Sequence, residues 1–416
     1  MKKSFIFSVT LLSIILLSLF NLFSPLAKAQ EDNGHVPSRV LIKFKDGVTE
    51  GEKDNLLKNN RAQVVGKIDA LDVLVLQVPD KAEEKLVVAL SKNPHVEYAE
   101  LDYLAEAFFS PNDTYFTANQ WGLENTGQNI KGVSGVFDAD INGPTAWEVT
   151  QGGIKVAILD TGIDQDHEDL SVKIVDKVAD QKNFTTSPTI DDLYGHGTHV
   201  GGIVAAITNN GKGIAGTCPN CQLMNGKVLN DSGSGAYSWI ASGITWAADN
   251  GAKVINLSLG GSSGSKTLEK AVNYAWNNKG VVVVAAAGNS ANPSKTYPAA
   301  YTNVIAVAAT NNKDQKASFS SYGARWVDVA APGENIFSTF PNHPYKINKL
   351  PGYDFGSGTS MSTPMTSAVV ALIWSTPHGT SASAVRARLE STADDIAGTG
   401  TYWSAGRINA ANAVTP

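Results

Sequence analysis

The sequence predicts an α/β fold with a doubly wound, mostly parallel sheet, preceded by a small α+β domain. Between about residues 109 and 416, short continuous apolar runs alternate with longer helical patterns. That alternation is typical of parallel strands covered by helices on both faces. Before it, residues 30–108 show the element order β-α-β-β-α-β of a ferredoxin-like domain.

Length and composition exclude several classes of protein. The 416 residues are enough for about two to four structural units. Hydrophobic residues make up 43% and charged residues 17%, which favours a packed core over a disordered chain. A net charge of −6 argues against a nucleic-acid surface or a polybasic membrane patch, and two cysteines exclude a disulfide-rich scaffold.

The N-terminus has the layout of a secretion signal. Lys2 and Lys3 precede an apolar run over residues 5–23, and Ala27-Lys28-Ala29 offers small residues at the two recognition positions. We expect a signal peptide over residues 1–29, cut after Ala29. A membrane anchor is the alternative, because the run is almost long enough to span a bilayer. No later segment has 18 uninterrupted apolar residues, so we expect a secreted, extracellular protein without an anchor after processing.

The small domain, residues 30–108, is acidic, with 15 acidic and 10 basic side chains. Its expected strands cover residues 39–45, 63–68, 72–78 and 96–100, and its expected helices cover residues 49–60 and 81–91. Considered without its neighbour, this domain contains no set of catalytic residues, and its sequence indicates a simple binding module.

The large domain, residues 109–416, is expected to place its functional residues at one edge of the sheet. Its predicted strands are 155–160, 254–259, 281–287, 304–309 and 326–330. Its predicted helices are 196–207, 237–250, 266–278 and 361–374. Ligands bind such sheets beyond the carboxyl ends of the strands.

Three residues at strand ends and helix starts could perform nucleophilic catalysis together. Asp160 closes a predicted strand, and His196 and Ser360 each begin a predicted helix. A serine hydroxyl needs a base within hydrogen-bond reach, and that base needs an acceptor on its other ring nitrogen. Singly, each residue has an ordinary structural explanation as a cap, a structural histidine or a turn, so the argument rests on their combination.

The motifs around these residues resemble the three signatures of the subtilisin-like serine proteases, the subtilases. They are Asp160-Thr161-Gly162, His196-Gly197-Thr198-His199 and Gly358-Thr359-Ser360-Met361. The chain order Asp, His, Ser also matches that of subtilisin. The resemblance covers essentially all of residues 109–416. Ser110-Pro111-Asn112-Asp113 and residues 398–403 are closest to the thermitase-like branch.

The resemblance implies the role of each reacting group. Ser360 would be the nucleophile, His196 the general base and then acid, and Asp160 the group that orients the imidazole. Asn289 would be the side-chain donor to the oxyanion, assisted by the N-terminus of the helix at Ser360. An inactive binding protein of this family would have lost one of these four residues, and an esterase would favour Gly-x-Ser-x-Gly.

The resemblance also implies a site for an extended peptide substrate. Two segments would enclose the substrate backbone, and a third would help to wall the pocket for the P1 side chain, with Thr296 near its base. They are Gly233, Ser234 and Gly235; Ser258, Leu259, Gly260 and Gly261; and Ala286, Ala287 and Gly288. Because no acidic residue is evident there, we expect an apolar or aromatic P1 preference.

The small domain resembles the inhibitory propeptide of subtilases. We expect it to assist folding, to bind the active site as an intramolecular inhibitor, and to be removed by self-cleavage near Ala107, Phe108 or Phe109. The mature enzyme is expected to be a monomer acting on proteins and peptides, with no nucleic-acid partner.

The resemblance further implies one calcium site (Ca2+). Its expected side-chain ligands are Asp113, Asp169 and Asn210, and its expected carbonyl ligands are Ile207, Lys212 and Ile214. Calcium prefers six to eight oxygen ligands, which such a loop and two carboxylates can supply. An ordinary solvated loop is the alternative.

The chain departs from the family at three places. Subtilases usually have His where Met365 stands and Ala where Ser362 stands, and both changes bear on packing of the helix. Cys218-Pro219-Asn220-Cys221 could close a small disulfide loop in an exported protein. A redox Cys-x-x-Cys pair and a zinc site are the alternatives, although further zinc ligands are not evident.

Overall fold

The computed structural model describes residues 35–103 and 110–416. The chain divides into two compact units, Met1–Phe108 and Phe109–Pro416. The predicted signal peptide and the predicted cleavage junction near Ala107 lie outside the described residues. Within the described residues, no helix is both long enough and apolar enough to cross a membrane.

The first unit is a four-stranded antiparallel sheet with two helices. Its strands are β1 (His35–Phe44), β2 (Gln63–Ile68), β3 (Val73–Gln77) and β4 (Val96–Tyr103), and its helices are α1 (Glu50–Asn59) and α2 (Glu83–Leu90). The strand order β2-β3-β1-β4 is that of the predicted ferredoxin-like domain. Thr49 and Glu52 form a capping box at α1, which satisfies backbone donors at the helix start.

The second unit contains the predicted large parallel sheet. Its strands are β5 (Asn129–Ile130), β6 (Val133–Ser134), β7 (Lys155–Asp160), β8 (Gln181–Asn183), β9 (Gln222–Lys227), β10 (Val254–Leu257), β11 (Val282–Ala286), β12 (Val304–Thr310), β13 (Val329–Pro332), β14 (Ile336–Phe340), β15 (Gly352–Gly356) and β16 (Gly406–Arg407). Its helices are α3 (Phe116–Asn119), α4 (Gly143–Val149), α5 (His196–Ala205), α6 (Tyr237–Asp249), α7 (Lys266–Asn273), α8 (Thr359–Trp374), α9 (Ala382–Ser391) and α10 (Ala410–Val414).

The strand order of the main sheet places a topological switch point at β7. The order is β16-β13-β12-β11-β10-β7-β9-β8, and every neighbouring pair is parallel. The chain leaves β7 toward β8 and β9 on one side, and later returns to build β10 to β13 on the other side. Such a reversal opens a crevice at the carboxyl ends of the strands, where ligands bind. Asp160 is the last residue of β7.

Several predicted boundaries were displaced. The strand expected at 326–330 lies at Val329–Pro332, and β9 was not predicted. The sequence of β9, Gln-Leu-Met-Asn-Gly-Lys, mixes polar residues and glycine, yet Asn225 and Lys227 are completely buried. Their burial depends on contacts made elsewhere in the chain, which a local pattern does not contain.

Helix α8 passes through the centre of the unit and begins earlier than predicted. Every residue from Thr359 to Ile373 is buried except Ser360, which is partly exposed. Because Thr359 is the first helical residue, Pro364 is the sixth and lies inside the helix, beyond the first turn where proline is tolerated. Pro364 has no N–H to donate to the carbonyl of Ser360, four residues earlier. The Ser258 hydroxyl donates to that carbonyl instead, at 2.9 Å.

The two cysteines form a disulfide bond between Cys218 and Cys221. Both side chains are buried in the core of the unit. Redox-active cysteines need to be accessible, so this buried pair is structural, and it offers no free thiolate for zinc.

Candidate active site

Asp160 and His196 meet at the carboxyl edge of the sheet. The Asp160 Oδ1 atom accepts a hydrogen bond from Nδ1 of His196 at 2.7 Å and one from the backbone N–H of Thr161 at 2.7 Å. Asp160 is completely buried, whereas about 20% of the His196 side chain is exposed. The carboxylate therefore binds the imidazole on its buried side, at Nδ1, while part of the ring is exposed to solvent.

This contact sets the protonation of the imidazole. Because the carboxylate of Asp160 only accepts, the proton of a neutral His196 sits on Nδ1, and Nε2 is left as the basic atom. Burial lowers the pKa of His196, but the charge of Asp160 and its hydrogen bond outweigh burial, so that the pKa lies above its ordinary value of 6.5. The arrangement is that of a general base strengthened by a buried carboxylate.

The glycine after His196 allows helix α5 to approach strand β7. A Cβ atom at Gly197 would lie 2.1 Å from the carbonyl oxygen of Gly162 and 3.1 Å from Cβ of Asp160. Such distances exclude any side chain at this position. The glycine in His-Gly-Thr-His therefore lets α5 and β7 lie close enough for the side chains of His196 and Asp160 to meet.

Ser360 lies at the second position of α8, where the helix N-terminus faces the same edge of the sheet. Its hydroxyl donates to the backbone carbonyl of Ser258 at 3.1 Å, and its own carbonyl accepts from the Ser258 hydroxyl. These reciprocal bonds fasten the start of the helix to the segment that follows β10.

The orientation of Asn289 follows from its hydrogen bonds. The backbone N–H of Thr359 donates to Oδ1 of Asn289 at 2.9 Å, and the Thr359 hydroxyl lies 3.0 Å from the same atom. A backbone N–H can only donate, so this atom must be the oxygen of the amide. The Nδ2 group consequently projects to the other side, toward the cleft that Ser360 also lines.

Two adjoining clefts surround these groups. A cleft of about 440 Å³ is lined by His196 and by the predicted residues Gly233, Ser234, Gly235, Ser258, Leu259 and Gly260. A second cleft of about 410 Å³ is lined by Ser360, Asn289, Thr296, Leu259, Gly260, Gly261 and Gly288. Leu259 and Gly260 line both, so the two clefts are continuous along one segment.

One predicted wall residue was misplaced, and several lining residues were missed. Ala287 is fully buried and packs in a cluster with Val327 and Trp403, whereas Ala286 lines the second cleft. The missed lining residues include Tyr194, Tyr237, Asn292 and Lys295. The only signal that could have predicted Tyr194 and Tyr237 as lining residues is their position in the sequence, close to His196 and Gly235.

The residues expected to bind calcium converge on one loop. Asp113 accepts from the N–H groups of Asn209 and Asn210 at 2.8 and 3.4 Å, and Asp169 accepts from the N–H of Ile214 at 3.0 Å. Burial raises the pKa of both carboxyls, and the charge of Asp169 raises that of Asp113 further. Within the described residues, neither carboxylate forms an ion pair with Lys or Arg.

These features fit a site for a cation, with one adjustment. Two buried anions without a countercharge are costly, and a cation would offset that cost. Oxygen donors suit calcium, and the backbone of Ile207, Lys212 and Ile214 lies in the same loop. The amide of Asn210 turns its Nδ2 toward Oδ1 of Asp169 at 2.8 Å, so this side chain would have to rotate to present its oxygen.

A second cluster of side chains of the types that can bind metals was not predicted. The ligand atoms of Asp164, Asp191 and His343 all lie within 4.8 Å of one another. The ring Nε2 of His343 lies 3.3 Å from Oδ2 of Asp191, and an ion pair accounts for that contact.

Family models match both parts of the chain. The subtilase family model matches residues 151–407, and a model described as the fervidolysin N-terminal prodomain matches residues 24–102. The first match covers more than half of the chain and includes all three motifs. The second falls on the ferredoxin-like unit.

Curated relatives and solved structures agree with these matches. A thermophilic serine proteinase of Bacillus sp. (strain AK1) is 44% identical over 389 residues, covering 93% of this chain and 90% of the relative. Thermitase of Thermoactinomyces vulgaris is 48% identical over 307 residues, covering 74% of this chain and 99% of thermitase. A protease structure from Pseudoalteromonas arctica PAMC 21717 has a TM-score of 0.63 at 31% identity, covering 74% of this chain and 99% of that one. The chain therefore belongs to the subtilases, as a subtilisin-like serine endopeptidase with an N-terminal prodomain.

Proposed function

We propose that this chain is the precursor of a secreted, calcium-dependent serine endopeptidase that cleaves proteins through an acyl-enzyme. The observation that carries the proposal is the 2.7 Å contact between His196 and Asp160 at the mouth of a cleft continuous with the one that Ser360 lines. Asp160 orients the imidazole, His196 is the base, and Ser360 is the nucleophile.

The proposed reaction begins with proton transfer from the Ser360 hydroxyl to Nε2 of His196. The hydroxyl bond to Ser258 must first be exchanged for one to the imidazole, which a rotation about χ1 of Ser360 can achieve. The oxygen of Ser360 then bonds to the carbonyl carbon of the substrate, and the carbonyl π electrons move to its oxygen.

The negative oxygen formed in this step needs donors that are already in place. Asn289 Nδ2 and the N–H groups at the start of α8 are suited to this task, because Thr359 fixes the amide and the helix dipole favours an anion at its N-terminus. His196 next gives its proton to the leaving amine as the C–N bond breaks. His196 then deprotonates a water molecule, whose oxygen bonds to the acyl carbon. The ester bond to Ser360 breaks, the acid product leaves, and the serine oxygen takes the proton from His196.

The substrate is proposed to bind as an extended strand between the segments Gly233–Gly235 and Ser258–Gly261. A Cβ atom at Gly260 would lie 2.5 Å from Thr296 Cγ2, so a side chain at Gly260 would narrow the second cleft. We propose that this cleft receives an apolar or aromatic P1 side chain, because its described lining contains no carboxylate. A peptide library cleaved best after Arg would contradict this specificity.

The prodomain is proposed to inhibit the enzyme until the chain cuts itself near Ala107, Phe108 or Phe109. A Ser360→Ala chain should then remain uncut in isolation, and added wild-type enzyme should cut it in trans. Normal processing of the isolated Ser360→Ala chain would contradict self-cleavage. We also propose export by a signal peptide over residues 1–29 and a monomeric mature enzyme, residues 109–416.

Calcium is proposed to stabilise the enzyme without taking part in the reaction. When bound, Ca2+ would offset the charges of Asp113 and Asp169 and tie the segment at Asp113 to the loop Ile207–Ile214. Binding to the folded state alone stabilises it by mass action, by about 4.1 kcal/mol at 1,000 times the Kd.

The decisive test measures digestion of a denatured protein by the wild-type chain, by Ser360→Ala and by Ser362→Ala. Ser362 is a matched control because it is a fully buried serine two residues further along α8. Wild type and Ser362→Ala should digest the substrate and react covalently with a serine-directed inhibitor, and Ser360→Ala should do neither. An unreactive wild type would favour the inactive binding protein, and cleavage of esters without peptides would favour an esterase.

A further inference from the structure

A buried carboxylate beside the catalytic groups has no part in the reaction described above. Asp192 lies four residues before His196, on the loop that leads into α5, and it is completely buried. It nevertheless accepts five hydrogen bonds, three at Oδ1 and two at Oδ2. A buried anion is retained only where such bonds compensate its desolvation, so its partners indicate what it holds.

One set of these bonds fixes the start of helix α5. Gly195, the residue just before the helix, donates its N–H to Oδ1 at 2.7 Å, and Thr198 donates its N–H to Oδ2 at 2.8 Å. The first N–H groups of a helix have no partner within the helix, and the helix dipole favours a negative charge at this end. Asp192 thus caps the turn that carries His196.

A second set of bonds reaches the end of strand β7. The hydroxyl of Thr161, the residue after Asp160, donates to Oδ1 of Asp192 at 2.8 Å and accepts from the N–H of Gly197 at 2.9 Å. The hydroxyl of Thr198 likewise donates to Oδ2 at 2.7 Å. Asp192 therefore binds directly to the residue that follows Asp160 and to the helix turn that begins at His196.

A buried lysine holds the backbone at the end of β7, where Thr161 bonds to Asp192. The Nζ group of Lys227, the last residue of β9, donates to the backbone carbonyl of Thr161 and to that of Asp191, the latter at 3.0 Å. Lys227 is fully buried and lies opposite Asp160 in the register of the sheet. Lys227 thus holds the backbone of Thr161, whose hydroxyl bonds to Asp192, and the backbone of Asp191, which precedes Asp192 in the chain.

We propose that Asp192 is a positioning residue of the peptidase, which sets the distance and angle between the Asp160 carboxylate and the His196 imidazole. The inference rests on the proposed function, since it concerns the geometry of that site. Asn could not replace Asp192 without loss, because an amide has one acceptor oxygen and its NH₂ would face donors such as the N–H of Thr198. The charge of Asp192 also adds to that of Asp160 in raising the pKa of His196.

The test compares the full chain with Asp192→Asn and with Asp180→Asn. Asp180 is the matched control, since it is also a buried aspartate, but it pairs at 2.7 Å with Lys155 at the opposite end of β7 from Asp160. Two measurements are made: kcat and KM on a peptide substrate, and the ¹⁵N resonances of His196 during a pH titration in a Ser360→Ala background.

For Asp192→Asn we expect kcat to fall by about 10²-fold with little change in KM, since a misplaced catalytic group of this kind costs that much. We also expect the His196 titration to move to lower pH. Asp180→Asn should leave kcat, KM and the titration unchanged, whatever it does to the melting temperature.

Equal kcat values for the two variants, together with an unchanged His196 titration, would overturn the proposal. If Asp192→Asn fails to fold, Thr161→Val replaces it, because that change removes the hydroxyl through which Asp192 and the N–H of Gly197 are linked to the end of β7. A wild-type chain that cleaves no peptide would defeat the proposed function, while the titration would still decide whether Asp192 positions the imidazole.

Discussion

The substitution Ser258→Ala should cost folding stability mainly because of a proline elsewhere in the chain. Pro364 cannot donate to the carbonyl of Ser360, and the Ser258 hydroxyl supplies the missing donor at 2.9 Å. Removing that hydroxyl leaves a carbonyl of a largely buried helix unpaired, which costs about 1–3 kcal/mol. A second loss, of the bond from Asn256 Nδ2 to the Ser258 hydroxyl at 3.0 Å, adds to this cost.

A double-mutant cycle separates the two contributions. In a Pro364→Ala background the new N–H can donate to the Ser360 carbonyl, so Ser258→Ala then loses only its bond with Asn256. The two substitutions should therefore be non-additive by about 1–2 kcal/mol, whereas unconnected changes add to within about 0.5 kcal/mol. For a unit of this size, an unfolding entropy of about 2.1 cal/mol/K per residue means that each kcal/mol shifts Tm by about 1.5 °C.

The assay is thermal unfolding of all four variants in a Ser360→Ala background, which prevents self-digestion, at constant calcium. Ser362→Ala serves as the control for the cycle, because its hydroxyl bonds to the carbonyl of Ala331 at 2.9 Å and not to the carbonyl that Pro364 leaves free. Its effect should add to that of Pro364→Ala. If Ser258→Ala were equally costly with and without the proline, the reasoning would be refuted.

Three further predictions concern catalysis and metal binding. Asn289→Ala should lower kcat by about 10²–10³-fold with KM nearly constant. This is the loss measured for the side-chain oxyanion donor of subtilisin itself. A change confined to KM would contradict the role of Asn289 as an oxyanion donor. The fall of kcat/KM on the acidic side should have its midpoint above pH 6.5, because Asp160 raises the pKa of His196 and the imidazole must be neutral to act as the base. A midpoint well below pH 6.5 would contradict this effect of Asp160. EDTA should lower Tm at neutral pH, and this effect should shrink as the pH falls toward the range in which carboxyl groups titrate. Burial raises the folded-state pKa of Asp113 and Asp169, so lowering the pH protonates both carboxylates, which ends their mutual repulsion and the stabilisation that a bound cation gives. A loss of Tm that is the same at every pH would contradict the site.

Local patterns predicted some elements well and others poorly. Strand β7 was predicted with its observed bounds, because its apolar residues form a continuous run that ends in Asp160. Strand β9 was not predicted, because its buried Lys227 depends on partners outside the strand: the carbonyls of Thr161 and Asp191 and the carboxylate of Asp231. Local propensity disfavours a proline inside a helix, and Pro364 is tolerated there because Ser258, more than 100 residues away in the chain, supplies the missing donor.

The sequence by itself determined which groups are present: a carboxylate, an imidazole, a hydroxyl and an amide, each in a motif typical of subtilases. Only the tertiary structure decided their relations, since Asp160 and His196 are 36 residues apart, Asn289 and Thr359 are 70 apart, and Ser258 and Ser360 are 102 apart. Distances across such separations depend on how the parallel strands and α8 pack together. The orientation of Asn289, the burial of Ala287 and the network around Asp192 follow from that packing, because each is fixed by hydrogen bonds or contacts between distant segments.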